Sequence, residues 1–106
     1  MFTEDEKKLA LKLAYKLEKR DYDSAYSMLS TGLQASLSSA EFRQLYERMI
    51  PQDWGKIDPI ELMDGDEYPF VYVVLGGDVY SEAIIIDRFV DENGNSKIDN
   101  LEFGRP

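Results

Sequence analysis

Apolar residues recur at helical spacing through the first half of the chain and at strand spacing through the second, with the change near Pro51. Leu9, Leu13 and Leu17, with Ala10 and Ala14 beside them, form one stripe. Thr3-x-x-Glu6 is a capping box, so this helix is predicted to start at Thr3. Acids lead it (Glu4, Asp5, Glu6) and bases close it (Lys16, Lys19, Arg20), in line with the helix macrodipole. Asp21 can cap a second, short helix with the face Tyr22, Ala25, Tyr26 and Leu29. Ser30-Thr31-Gly32 breaks it, and Leu33 to Leu37 reads as one loose turn. Ser38-x-x-Glu41 is a second capping box. It opens a third helix with the face Phe42, Leu45, Tyr46 and Met49, stopped by Pro51.

Beyond Pro51 the period shortens. Lys56 to Met63 is a weak strand that Pro59 confines to a sheet edge. Asp64-Gly65-Asp66-Glu67 is a turn, and Phe70 to Leu75 is β-branched and aromatic, a good strand. Gly76-Gly77-Asp78 reads as a tight hairpin, Val79 to Val90 as a long strand and Asn93-Gly94 as a second hairpin. Lys97 to Phe103 makes the last strand. Three or four antiparallel strands joined by short turns form a meander whose apolar face must be covered, and the helices are the available cover. The expectation is one α+β domain over residues 1–106, with helices in 3–50 and sheet in 56–103. One detail resists a simple sheet. The long strand is apolar on both parities, Tyr80, Ile84, Ile86 and Val90 on one and Val79, Ala83, Ile85 and Phe89 on the other. Both faces therefore look covered, one by the helices and one by a second subunit or a partner.

Composition narrows the chemistry. The chain has 106 residues, 43% of them hydrophobic, with no His and no Cys. Disulfides, thiol nucleophiles and thiolate or His metal sites are excluded, as are Ser-His-Asp triads. Twelve bases against 21 acids give a net charge of −9, which disfavours nucleic acid and anionic membranes. No apolar run approaches the length of a membrane span. The opening MFTEDEKKL lacks the apolar core of a signal sequence, so a cytoplasmic location is expected. The charge is unevenly placed. Residues 1–20 carry six basic and four acidic side chains, whereas the remaining 86 carry six and 17.

The run Lys19-Arg20-Asp21-Tyr22-Asp23-Ser24-Ala25-Tyr26-Ser27-Met28-Leu29, followed by Leu33-x-x-Ser36-x-Ser38-x-x-Glu41-Phe42, resembles the second-helix region of the nuclear transport factor 2-like (cystatin-like) superfamily. Ser81-Glu82-Ala83 through Ile98-x-x-Leu101-Glu102-Phe103-Gly104-Arg105-Pro106 is similar to the last hairpin of its small bacterial members. The resemblance implies three helices packed on a curved antiparallel sheet. It implies several kinds of function: cavity enzymes, ligand binders, dimerising subunits and immunity proteins of bacterial toxin systems. Fold does not choose among them.

Four site hypotheses follow. Asp91 to Glu102 places oxygen ligands at EF-hand positions 1, 3, 5, 9 and 12, but Ser96 replaces the glycine of the sharp turn; a hairpin at Asn93-Gly94 is the competing reading. A pocket between helices and sheet could use Tyr15, Tyr26, Tyr72 and Glu82, either as an isomerase-like carboxylate–tyrosine pair or simply to bind a small molecule. Against this, Tyr15 and Tyr26 sit near apolar helical faces and read as core residues with a rim hydroxyl, and Arg88 as a partner for Glu82. An acidic surface of Asp53, Trp54, Asp58, Glu61, Asp64, Asp66, Glu67 and Tyr68 suits a protein partner with a basic site, as a toxin would present. Finally, the sheet could pair with a second copy of the chain. The leading expectation is a non-enzymatic interaction module of the toxin-immunity type, without a cofactor or metal.

Overall fold

A computed structural model describes residues 2–63, 69–77 and 80–104. Among these residues, four α-helices precede a four-stranded sheet. The helices are α1 (Glu4–Glu18), α2 (Tyr22–Tyr26), α3 (Thr31–Ser36) and α4 (Ser39–Met49). A 3₁₀ turn over Gln52–Trp54 leads to β1 (Ile60–Met63), β2 (Val71–Gly76), β3 (Ser81–Glu92) and β4 (Asn95–Gly104). The strands lie in the order β1-β2-β3-β4, antiparallel throughout. This is the α+β meander expected from the sequence.

Each helix starts on a side-chain cap. Thr3 Oγ1 accepts from the Glu6 amide at 3.1 Å while Glu6 accepts from the Thr3 amide at 2.8 Å. Ser38 and Glu41 repeat this reciprocal pairing ahead of α4. Asp21 caps α2 through the Ser24 amide. Ser30 Oγ accepts from the Leu33 amide at 3.0 Å. That cap turns the predicted loose turn into the helix α3, starting two residues earlier than its apolar residues suggest.

The core is the seam between α1 and the sheet. Ala10, Leu13, Ala14 and Leu17 are fully buried, as are Val71, Val73, Leu75, Ile84 and Ile86. Phe42 and Tyr46 of α4 complete it, while Leu45 of the predicted face stays 39% exposed. Burying a side chain of this size contributes about 1.5–3 kcal/mol. Arg20, at φ 61° between α1 and α2, donates to the carbonyls of Ile50 (3.0 Å) and Pro51 (3.1 Å) and stacks over the Tyr46 ring. It closes the C-terminal end of α4 where orphan carbonyls need donors.

Two irregularities reshape the sheet. β1 starts at Ile60 rather than Lys56, because Pro59 has no amide for a ladder. The register between β3 and β4 shifts on either side of Arg88. Ile86 pairs with Leu101, Arg88 with Asn100 and Phe89 with Ile98, so Asp87 and Asp99 are extra residues on their strands. The shift reverses the parity of β3. Phe89 joins Ile84 and Ile86 on the helix-facing side, packs on the core and meets Phe2 edge to face at 5.6 Å. Val90 turns outward, 37% exposed. Much of the doubly apolar pattern of this strand is therefore a bulge within one sheet. Beyond it, the hairpin turns at Asn93 (φ 55°) and Gly94 (φ 84°), both left-handed as a two-residue turn requires.

Candidate functional site: a sheet face with acidic edges

Most of the helix-facing side of the sheet is taken up by the core. The opposite side is read from the register. One row across the four strands is Met63, Tyr72, Ile85 and Glu102. The next is Glu61, Val74, Ala83 and Gly104. Their centre is apolar, each row carries a glutamate on an edge strand, and neither contains a base. Tyr72, Val74 and Ile85 are half-buried, Met63 is 40% exposed, and Glu61 and Glu102 are exposed.

The acidic segment ahead of β1 adjoins this sheet. Asp53, Asp58 and Glu61 are exposed, and Asp58 lies 3.8 Å from Lys56. Asp64, Asp66, Glu67 and Tyr68, the rest of the expected surface, lie outside the described residues. Trp54 is used within the fold. Its ring packs edge to face on Tyr80 at 4.9 Å and lies so close to Gly77 that a Cβ there would sit 2.5 Å from Cζ2. The ring therefore fastens the 3₁₀ turn to the end of β2, aided by the Asp58 amide to Gly76 carbonyl and Gly76 amide to Pro59 carbonyl bonds.

The four residues expected to line a pocket are not brought together. Tyr15 is 48% exposed on α1, against the reading of a core residue. Tyr26 donates its hydroxyl to the Leu37 carbonyl at 2.7 Å and packs on Phe42, a core ring with a satisfied rim hydroxyl. Tyr72 belongs to the outer row. Glu82 alone lines a cleft. It is 6% exposed and stands with Leu37, Leu45, Met49, Leu101 and Phe103 around an open hollow of about 560 Å³. Among the described residues no tyrosine lines this hollow.

Arg88 does not extend toward Glu82. The bulge turns its guanidinium to Asp99, Nε to Oδ2 at 2.7 Å, while Ser30 Oγ donates to Asp99 Oδ1 at 2.6 Å. These two donors, Ser30 first, hold the Asp99 carboxyl below its ordinary value. A carboxylate stabilised in this way is a weaker base, so the cluster is suited to tying α3 to β4 rather than to proton abstraction. The backbone repeats the tie, with the Ser30 amide on the Ile98 carbonyl at 2.7 Å and the Ile98 amide on the Met28 carbonyl at 2.9 Å.

The calcium-loop reading fails on geometry. Asp91 to Glu102 runs along β3, the hairpin and β4, with Asp91 opposite Ser96 and Glu92 opposite Asn95. Glu92 instead accepts from the amide and hydroxyl of Thr31 at 3.0 and 3.1 Å. Among the described residues no group of three acidic side chains could hold a metal ion. Among the described residues no helix is long and apolar enough to cross a membrane.

The Ser30–Asp99–Arg88 cluster and the Arg20 clasp went unpredicted, since both depend on partners distant in sequence. Comparison with family models, with curated proteins and with solved structures yields no match.

Proposed function

We propose that this chain is a non-enzymatic protein-interaction module that docks a partner with a basic site on the outer face of its sheet. The observation that carries the reading is the pair of rows in which Tyr72, Val74 and Ile85 lie between Glu61 and Glu102. Apolar residues at the centre would supply desolvated contact, and edge carboxylates would steer a cationic partner and fix its register. A net charge of −9 strengthens that steering. A second copy is the weaker occupant. A two-fold pairing sets the same patch on itself, and its two described rows carry glutamates and no base to receive them.

The helices-then-sheet order supports a nuclear transport factor 2-like arrangement, and with the acidic docking face it supports an immunity protein that neutralises a bacterial toxin. The test is growth. The product of the adjacent gene is expressed in a host with and without this chain. Arrest relieved by co-expression is the expected result. An adjacent product that causes no arrest, or an arrest this chain leaves unchanged, overturns the immunity reading.

The cleft at Glu82 favours a second reading, binding of a small molecule with an apolar body. Its volume falls within the range of ligand pockets and most of its lining is apolar. A thermal-shift screen of amphipathic small molecules, repeated on Leu101→Trp to fill the hollow, decides it. Stabilisation lost in the filled variant supports this reading, and no stabilisation by any compound rejects it.

A further inference from the structure

A groove separates α1 from the tip of the β3–β4 hairpin. Two adjoining hollows of about 330 and 400 Å³ share Leu9, Lys12, Asn95 and Ser96. Lys8, Lys12, Lys16 and Lys97 contribute to their walls, against one carboxylate, Asp5. This concentration of cations stands out on a chain with nine excess negative charges. Lys8, Lys12 and Lys16 follow one another at four-residue intervals, so each neighbours a like charge on the helix, an arrangement that destabilises it slightly. Lys16 lies 3.8 Å from Asp21, and Lys97 donates to the Ser27 carbonyl at 2.9 Å. Lys8 and Lys12 are exposed and no carboxylate among the described residues comes within ion-pairing distance of them. Tyr15, three residues after Lys12, adds a half-exposed ring beside the lysines.

We infer that this groove docks a short acidic segment of a partner protein, independently of the sheet face. Complementary charge would relieve the repulsion along α1. The asparagine amide and serine hydroxyl at the hairpin could donate to carboxylates or to the peptide backbone. Size favours a peptide over a nucleic acid. Lys8 to Lys16 spans about 12 Å along the axis, matching roughly four extended residues. Asp5 at one end and Asp21 at the other bound the patch, and they would repel a phosphate backbone continuing past it.

The experiment is an amide-resolved NMR titration of the whole chain with a short oligoglutamate peptide at low salt. Shifts are expected at residues 8–16 and 94–97, fading as salt rises. Lys8→Glu with Lys12→Glu should weaken binding at least about tenfold, and Lys12→Gln by less. Lys56→Gln, far along the chain from the groove, should leave it unchanged. These lysines are exposed, so an unchanged thermal transition confirms that each variant is folded. Absence of shifts, shifts confined to other residues, or tighter binding of an oligothymidylate of equal charge would overturn the inference.

Discussion

The two faces of the sheet are built from nearly the same residue types and do different work. On the helix side, Val71, Val73, Leu75, Ile84 and Ile86 are fully buried under α1 and α4. On the other side, Val74 and Ile85 are only half-buried, and the edge glutamates face water. Apolar surface on the first side is spent on folding. On the second it is retained, and retained apolar area with a charged rim is the material of an interface.

The comparison breaks most visibly on the buried side. Ile84→Ala should destabilise the chain by about 2–5 kcal/mol, read by denaturant unfolding. Gly77→Ala should follow at about 1–3 kcal/mol, because its Cβ would meet the Trp54 ring at 2.5 Å. Asp99→Asn should cost about 1–2 kcal/mol by weakening the bonds from Ser30 and Arg88.

The same cluster sets a pH dependence. The folded Asp99 carboxyl titrates below its ordinary 3.8, so the unfolded chain takes up the proton first as the medium acidifies. Its stabilisation is complete above that ordinary value and is lost as pH falls through the lowered one. Glu47 acts in the same sense, held down first by the Tyr22 hydroxyl. Stability measured against pH should therefore decline on the acid side, and Asp99→Asn should flatten part of that decline. On the outer face, Ile85→Ser should change stability by less than about 1 kcal/mol, and a cost equal to that of Ile84→Ala would erase the distinction between the faces.

Local signals were legible because they need only neighbours. The two capping boxes, the cap at Asp21 and the Asn93-Gly94 turn each act within a few residues, and each appears where the pattern put it. The alternation along β3 misled beyond Ile86. A period of two presumes an unbroken ladder, whereas the extra residues Asp87 and Asp99 send Phe89 inward and Val90 outward. The candidate pocket was less legible still. Tyr15 shares a helix with the core stripe, but its place on the turn faces solvent. Glu82 lines the cleft only because α3 and α4 bring Leu37, Leu45 and Met49 to it from distant sequence. The acidic surface was readable as composition, whereas the sheet register was needed to place Glu61 and Glu102 on opposite edges of one apolar face.

The most direct test of that face is affinity capture from the source cells with the wild-type chain and Ile85→Arg side by side, over a salt series. A stoichiometric partner with a basic surface is expected, held by the wild type, released as salt rises and lost with the variant while the variant's unfolding transition persists. Equal capture by both chains, or a folded wild type that holds no partner or only a second copy of itself, would contradict it.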